Sequence, residues 1–208
     1  LPVPPDIAPN RLSSPSMILE AANSLGYPLV VKPAEQGSSV GVTIVQQPNE
    51  LAQAVQDVLQ WGPRFLLEKF ISGREVTVPV IDGMAFPAVE VLPSGSWYDY
   101  HAKYIDNQTQ YIVSPPNLPG DLNSIVLQAC TECGVAAISR TDLRIDPEGR
   151  CWILEINTIP GMTSHSLVPM SALSLGISSG ELCEQLLLKH LRHIPQTTWQ
   201  NRGLRRVA

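Results

Sequence analysis

The chain has 208 residues, of which 44% are hydrophobic and 16% charged, and its formal net charge is −5. This composition excludes a disordered chain, and the length is enough to bury the core of one large domain or two small ones. Because basic residues are not in excess over the whole chain, nucleic acid is not expected as a partner. No apolar run approaches the length of a membrane span, so no membrane association is expected either.

The first half of the chain predicts two helices among short strands. Residues 1–5 are proline-rich, as is typical of a linker, so we expect this chain to be a fragment of a longer protein. Ser14 predicts the start of a helix that stops at Gly26, and Asn49 predicts the cap of a second helix. Asp82-Gly83, between two apolar runs, predicts a hairpin turn. Strands are expected over residues 29–33, 42–45, 65–70, 76–81 and 84–92.

The second half predicts one long loop, two helices and a final hairpin. Residues 93–120 carry glycine, proline and aromatic residues without a clear period, and a connection of that length is typical of a functional loop. Helices are expected from near Asp121 and over residues 179–191. Strands over residues 136–146 and 151–157 flank a turn. The order of elements therefore predicts an α+β fold with antiparallel hairpins.

Two of the four cysteines, Cys130 and Cys133, form a C-x-x-C pair that could bind zinc or exchange disulfides. They fall on the helix that is predicted after Asp121, where their spacing marks one apolar face. No second cysteine or histidine pair completes a zinc site. We therefore expect reduced cysteines in a cytoplasmic protein.

Acidic and basic side chains alternate along the final predicted hairpin. Successive side chains of a strand point to opposite faces, so Arg140 and Asp142 share one face, as do Glu155 and Asn157. A turn centred on residues 148–149 places Asp142 opposite Glu155 and Arg140 opposite Asn157. Facing carboxylates repel each other unless a cation lies between them, and carboxylate and amide oxygens suit Mg²⁺. The alternative is a solvated outer face with incidental acids.

A Gly/Ser loop at residues 37–41 follows Lys32, which ends a predicted strand. Such a lysine can contact phosphates, and such a loop can cover them with backbone N–H groups; the alternative is an ordinary hairpin loop. The loop also matches G-x-S-x-G, and Ser39, Asp142 and His165 follow the chain order of an α/β-hydrolase triad. That elbow needs a helix directly after the serine, whereas residues 42–45 predict a strand.

Residues 98–104 place aromatic side chains and one lysine, Lys103, within the long loop. This combination suits a lid that closes over phosphates and excludes water. The alternative is a surface loop that carries a lysine.

Seven short motifs occur in an order that resembles the D-alanine–D-alanine ligases, a family of the ATP-grasp superfamily. They are Val31-Lys32-Pro33, residues 37–41, Glu68-Lys69-Phe70, residues 98–104, Arg140-x-Asp142, Glu155-x-Asn157-Thr158 and residues 160–167. The resemblance extends from Leu1 to about Arg192. It implies an ATP-grasp fold in which two α+β subdomains with antiparallel sheets hold the nucleotide between them. It further implies a central subdomain over residues 1–76, a C-terminal catalytic subdomain over residues 77–194 and a tail over residues 195–208.

The resemblance implies a role for each matching residue. ATP would be bound by Lys32, Ser39, Glu68, Lys69, Phe70, Ile71, Glu75 and Lys103. Within this set, residues 68–71 would line the adenine pocket and Glu75 would hold the ribose hydroxyls. Two Mg²⁺ or Mn²⁺ ions would be coordinated by Asp142, Glu155 and Asn157. The catalytic group would comprise Arg140, Lys103, Ser38 and Tyr104, and D-alanine would contact Ser166, Leu167, Tyr98 and Gly161.

The implied reaction joins two D-alanine molecules through an acyl phosphate, for peptidoglycan precursor synthesis in the bacterial cytoplasm. The resemblance also implies a homodimer at full length and an additional N-terminal domain that this chain lacks. Two alternatives remain open beside it. One is another ATP-grasp enzyme that joins a different carboxylate and amine, and the other is a truncated fragment that binds nucleotide but is inactive alone.

Overall fold

The computed structural model describes residues 6–7, 14–93 and 109–191, which form two antiparallel sheets. The strands of the first sheet are β1 (Asp6–Ile7), β2 (Leu29–Pro33), β3 (Thr43–Val45) and β4 (Phe65–Lys69). Their order across the sheet is β1-β4-β2-β3. Buried side chains alternate with half-buried ones along β2, so Val30 and Lys32 lie on the face opposite the core.

The second sheet is larger, and its two longest strands, β5 and β9, pair along their full length. Its strands are β5 (Arg74–Ile81), β6 (Met84–Ala85), β7 (Val89–Leu92), β8 (Gln110–Val113), β9 (Ile138–Ile145) and β10 (Cys151–Asn157). The order is β10-β9-β5-β7-β8, and β6 pairs with the end of β5. The chain leaves the first sheet at Lys69 and enters the second at Arg74. The predicted boundary between residues 76 and 77 falls within β5, and the division into two subdomains stays a prediction.

Helices cover the outer face of each sheet and one end of the inner face of the second sheet. They are α1 (Pro15–Leu25), α2 (Leu51–Leu59), α3 (Leu122–Glu132), α4 (Leu167–Ser174) and α5 (Ser179–Leu191). The first two helices pack on the first sheet, where Ala22 and Val58 meet Leu29 and Leu67. Each large apolar side chain buried in this way contributes about 1.5–3 kcal/mol. Among the residues that the structure describes, no helix has the length and apolar character needed to cross a membrane.

The remaining helices complete the core of the second sheet. Val126 of α3 packs against Val78 and Leu143 of the central strands. Val168 of α4 and Leu182 of α5 pack together near the end of β5. Because α1, α2 and α3 occupy the outer faces, and α4 and α5 cover only one end of the inner face of the second sheet, the rest of the two inner faces lines a space between the sheets.

The predicted start and stop of the first helix are confirmed. The Ser14 hydroxyl accepts a hydrogen bond from the backbone N–H of Met17, and Gly26 follows the last turn with a φ of +77°. A positive φ at this position favours glycine, which has no Cβ to clash with the helix end. The Asp82-Gly83 hairpin between β5 and β6 is also confirmed.

Asn49 does not cap the second helix, so that prediction is wrong. Residues Pro48–Glu50 form a single 3₁₀ turn, and the cap position of α2 is Glu50. The Glu50 carboxylate accepts hydrogen bonds from the backbone N–H of Gln46 (2.8 Å) and from the amide of Gln47 (3.2 Å). Pro48 starts the turn one residue before the predicted cap because its ring already fixes a helical φ.

Several further features differ from the sequence-based expectation. The expected strand over residues 84–92 is divided into β6 and β7, because Pro87 cannot donate to a sheet ladder. β8 lies within the segment expected to be a loop, and the sequence does not predict α4. Cys130 is buried but Cys133 is exposed at the end of α3, so the two cysteines do not share an apolar face.

Candidate functional site

A cleft of about 260 Å³ lies between the inner faces of the two sheets. We call it the first cleft. Its lining residues from the first sheet are Val30, Lys32, Ile44, Leu66 and Glu68, and those from the second sheet are Glu75, Asp142, Arg144, Leu154 and Glu155. The volume is far above the roughly 10–15 Å³ that one water molecule needs. The first cleft is therefore large enough for an organic ligand, and both sheets contribute charged side chains to it.

The pairing of β9 with β10 places acidic side chains opposite each other. Asp142 pairs with Glu155, and Arg140 pairs with Asn157, so the predicted register is confirmed at these positions. The register shifts between Ile153 and Glu155, where an extra residue forms a β-bulge. Leu154 and Glu155 consequently both line the first cleft with Asp142. Without the bulge, Leu154 would lie opposite Asp142.

Asp142 is held by hydrogen bonds from two neighbouring side chains. The Arg140 guanidinium donates from Nε to Oδ1 (2.8 Å) and from Nη2 to Oδ2 (2.7 Å). The Thr77 hydroxyl donates to Oδ1 (2.5 Å) from β5, where Thr77 is the direct cross-strand partner of Asp142. Because Thr77 is buried, its hydroxyl fixes the carboxylate from inside the sheet.

The donor set around Asp142 suits a hard divalent cation. Asp142 and Glu155 provide two carboxylates, and the Asn157 amide lies beside Glu155, with Nδ2 at 3.4 Å from Oε1. In the described part of the chain, no group of three or more histidine, cysteine or acidic side chains could hold a metal. The amide oxygen of Asn157 would therefore have to complete any set of three side-chain ligands, and amide oxygen is an acceptable ligand for such ions.

The cleft face of the first sheet carries a half-buried ion pair. Lys32 Nζ lies 2.7 Å from Glu68 Oε1, and both side chains line the first cleft. Lys69 also lines the cleft, but its ammonium donates to the Leu25 carbonyl (3.1 Å) at the end of α1. The ammonium group of Lys69 therefore interacts with the C-terminal end of α1.

Arg144 and Glu75 form the corresponding pair on the second sheet. Arg144 Nη1 donates to Glu75 Oε2 (3.1 Å), and Nη2 donates to the Gly73 carbonyl (2.7 Å). The guanidinium carbon lies 5.5 Å from the centre of the Phe70 ring. Burial lowers the pKa of Arg144, and the charge of Glu75 opposes that shift. Ile71 is buried at the same end of the first cleft.

The Gly/Ser loop adopts a strained conformation at the mouth of the first cleft. Ser38 and Ser39 both have positive φ values, 56° and 58°, which are uncommon for residues other than glycine. The Val40 N–H donates to the Gly37 carbonyl (3.1 Å), and the Val42 N–H donates to the Ser39 carbonyl (3.4 Å). Since β3 follows this loop directly, the helix that a hydrolase nucleophile elbow requires is absent after Ser39.

A second cleft, of about 360 Å³, adjoins the first. Glu75 and Asp142 line both clefts. The other polar residues of the second cleft are Ser38, Thr77, Tyr111, Arg140, Asn157, Thr163, His165 and Ser166. Ser166 precedes the first residue of α4, and its hydroxyl accepts from the Thr163 N–H (3.1 Å). The second cleft is therefore lined both by the Arg140–Asp142 pair and by the N-terminus of α4.

Residue 161 lies so close to Ser166 that a side chain larger than that of glycine would contact it. A Cβ added at Gly161 would lie 2.8 Å from Ser166 Oγ. Leu167 is buried directly after Ser166 and lines the same cleft. Three residues with a predicted site role, Tyr98, Lys103 and Tyr104, lie outside the described residues.

Comparison with known proteins identifies the family. A family model described as D-ala D-ala ligase C-terminus matches residues 8–188. The chain belongs to the D-alanine–D-alanine ligase family. A D-alanine–D-alanine ligase from Gloeobacter violaceus is 43% identical over 173 residues, which are 81% of this chain and 57% of that protein. The chain thus spans a little over half the length of the curated relatives that it matches.

Solved structures of the D-alanine–D-alanine ligase family share the fold. A D-alanine–D-alanine ligase from Bacillus anthracis matches with a TM-score of 0.78 and 32% identity, covering 92% of this chain and 62% of that chain. A structure of a ligase from the same organism complexed with ATP matches with a TM-score of 0.75 and 30% identity, over the same shares of the two chains. The predicted family and its α+β fold with antiparallel sheets are confirmed.

Two residues of this ligase-family site are missed by the sequence-based reasoning. The sequence pattern does not connect Thr77 with Asp142, because it does not show that β5 lies beside β9. Arg144 has the same strand periodicity as Arg140 and Asp142, which places it on the cleft face, but the periodicity alone does not reveal its contacts with Glu75 and Phe70. In both cases the missing information is a pairing between distant segments.

Proposed function

We propose that this chain is the nucleotide-binding and catalytic portion of a ligase that uses ATP to join two D-alanine molecules. The observation that carries the proposal is the sharing of Asp142 and Glu75 by two adjacent clefts. Transfer of a phosphoryl group from a nucleotide to an amino acid requires that the two binding sites adjoin, and residues that line both clefts lie where they meet. The relatives from Gloeobacter violaceus and Glaesserella parasuis, both D-alanine–D-alanine ligases, support this assignment.

ATP is assigned to the first cleft. Val30, Ile44 and Leu66 supply an apolar wall that suits a purine base, and residues 68–71 border the same end. Glu75, which lines the same cleft, would accept hydrogen bonds from the ribose hydroxyls. Lys32 and the Gly/Ser loop supply a cation and backbone N–H groups for the phosphates. The structure of a related Bacillus anthracis ligase in complex with ATP supports ATP as the ligand.

Asp142, Glu155 and Asn157 are assigned as ligands of two Mg²⁺ or Mn²⁺ ions. The facing carboxylates and the neighbouring amide fit these ions by ligand chemistry. When bound, such ions neutralise phosphate charge and orient the transferring group. Without a cation, the two carboxylates repel each other across the strand pair.

The reaction proceeds in two substitutions. The carboxylate of the first D-alanine attacks the γ-phosphorus of ATP, so that a P–O bond forms to the substrate and the bond to ADP breaks. The amine of the second D-alanine then attacks the acyl carbon, phosphate leaves, and the amine loses a proton. Arg140, fixed by Asp142 at 2.7 and 2.8 Å, stabilises the negative charge that develops in both steps.

The second D-alanine is assigned to the N-terminus of α4. The Ser166 hydroxyl and the backbone N–H of Leu167 would bind its carboxylate, since helix N-termini favour anions. The small volume of Gly161 leaves the Ser166 side chain in place. Ser38 lines this cleft and would act with Tyr104, and Lys103 would reach the γ-phosphate; the roles of residues 98–104 stay predictions.

Phosphate release in the presence of ATP and Mg²⁺ tests this function. The assay compares D-alanine with D-serine, D-lactate, L-alanine and glycine, using this chain and any longer product of the same gene. Release that depends on D-alanine, with formation of D-alanyl-D-alanine, is the expected result. Faster release with a different acid and amine would favour another ATP-grasp ligase, and nucleotide binding without any release would favour an inactive fragment.

A further inference from the structure

Arg144 is a largely buried charged side chain for which the proposed mechanism has no role. Its side chain is only 15% exposed, and it lies on the wall of the first cleft. Its Nε is buried and has no hydrogen-bond partner among the described residues. A buried donor without a partner costs free energy, and an apolar side chain at such a position is often at least as stable. Folding alone therefore does not explain an arginine here.

The contacts of Arg144 connect two parts of the first cleft. One face of the guanidinium covers the Phe70 ring at 5.5 Å. The edge of the guanidinium binds Glu75 and the Gly73 carbonyl, at 3.1 and 2.7 Å. A guanidinium is planar and can stack on a second π system with the face that Phe70 leaves uncovered. At the same time, it holds the Glu75 carboxylate in one orientation.

We propose that Arg144 is a specificity-determining residue for the nucleotide, which orients Glu75 toward the ribose hydroxyls and presents its guanidinium face to the purine base. The inference rests on the proposed function, because it requires that ATP occupies the first cleft. It goes further by naming the side chain that sets the preference for a ribonucleotide. Arg140, two residues earlier on the same face of β9, contacts Asp142 instead and does not share this role.

Equilibrium binding of ATP, 2′-deoxy-ATP and 3′-deoxy-ATP to the wild-type protein and to Arg144→Met tests the inference. Methionine keeps a long, apolar side chain but removes the charge, the stacking plane and the contact with Glu75. We expect ATP to bind about 5- to 30-fold more weakly to Arg144→Met. This range follows from the strength of a desolvated cation–π contact when it is converted to a ratio of dissociation constants. The ratio of ATP affinity to deoxy-ATP affinity should fall toward one.

Arg150→Met is the matched control. Arg150 lies in the same hairpin and also covers an aromatic ring, that of Trp152 at 5.8 Å, but its side chain is 65% exposed and it does not border the first cleft. This variant should bind ATP and both deoxy analogues as the wild type does. Arg144→Lys keeps the charge without the planar fork, so it should retain the fold and show an intermediate affinity.

Coupling between the two side chains provides a second measurement. In a double-mutant cycle, Glu75→Gln should reduce the preference for ATP over its deoxy analogues, and Arg144→Met should add little once Glu75 is changed. If a folded Arg144→Met or Arg144→Lys protein bound ATP with wild-type affinity and kept the wild-type preference for ATP over its deoxy analogues, the inference would be wrong. The proposed function would not be affected by that result. A wild-type protein that binds no ATP would instead contradict the proposed function.

Discussion

Glu155 lies directly opposite Asp142 because β10 contains a bulge between Ile153 and Glu155. Ile153 faces the core, so regular alternation would bring Leu154 to the cleft and turn Glu155 back toward the core. The extra residue keeps Glu155 on the cleft face together with Leu154. The acidic pair thus depends on one local irregularity, as is common for bulges beside functional sites.

Glu155→Gln should separate the metal role of the acidic pair from its cost to stability. The amide keeps the shape but removes one charge, so Mg²⁺-dependent activity should fall on the order of 10²-fold, which corresponds to roughly 3 kcal/mol. Thermal stability measured without divalent ions should not fall, because repulsion from Asp142 is relieved. Glu148→Gln, an exposed acid in the same hairpin, is the control. Full activity of Glu155→Gln at the same Mg²⁺ concentration would contradict the assignment.

Thr77→Val should raise the Mg²⁺ concentration required for half-maximal activity. Valine has the shape of threonine but cannot donate the 2.5 Å hydrogen bond to Asp142. Loss of a side chain that orients a metal ligand costs about 10–100-fold in metal affinity or activity. Thr77→Ser retains the hydroxyl and should stay close to the wild type. If valine and serine had the same Mg²⁺ dependence, Thr77 would have no part in orienting the carboxylate.

Gly41→Ala should destabilise the Gly/Ser loop. Gly41 has a φ of +69°, and an added Cβ would lie 2.5 Å from Trp61 Cδ1 and 2.9 Å from Pro33 Cγ. The combined strain should lower the free energy of unfolding by about 1–3 kcal/mol, measured by urea denaturation. Gly37→Ala is the control in the same loop, because no heavy atom lies within 4 Å of its added Cβ. Equal stability of the two variants would show that the loop is not constrained at Gly41.

Asp146 should make the stability of the protein depend on pH in the acid range. Burial alone would raise the pKa of Asp146, but hydrogen bonds from Trp152 and Arg150 and the charge of Arg150 hold that pKa at about 2. Between about pH 4 and pH 2 the unfolded state therefore binds more protons than the folded state at this group. The stabilisation is complete above about pH 4 and is lost as the pH falls toward 2.

The measurement for Asp146 is the urea midpoint of unfolding as a function of pH. The wild-type midpoint should fall between pH 4 and pH 2, and Asp146→Asn should start lower at pH 7 and show a smaller fall over that range. The carboxylate also accepts the backbone N–H of Arg150 at 2.8 Å, which closes the β9–β10 turn. Parallel pH curves for the two proteins would contradict this prediction.

Local signals predict much of the fold. The hydroxyl of Ser14, the glycine at residue 26 and the Asp82-Gly83 turn act on neighbouring residues only, so the sequence is sufficient to place them. The sequence does not predict α4, because its residues are apolar on most sides and show no helical period. β8 is missed because its identity as a strand depends on pairing with β7, which is distant along the chain.

The candidate site divides in the same way. The predicted pairing of Asp142 with Glu155 is correct, but it depends on the bulge, which the sequence pattern does not show. Between the bulge and the turn, Cys151 pairs with Ile145, and continuing that register would place Leu154 opposite Asp142. The contacts of Arg144 with Phe70 and Glu75 depend on the packing of β4, β5 and β9 around the first cleft. Such contacts join segments about 70 residues apart, and only the folded structure brings them together.

The most direct test of the proposed function follows the carboxylate oxygen of D-alanine. The full reaction is run with ATP, Mg²⁺ and D-alanine labelled with ¹⁸O in the carboxylate, and the released phosphate is analysed by mass spectrometry. Attack of the carboxylate on the γ-phosphorus transfers one labelled oxygen to phosphate, so we expect one ¹⁸O in each phosphate that accompanies a D-alanyl-D-alanine product. Phosphate released without the label, or the same release in the absence of D-alanine, would contradict the acyl-phosphate mechanism.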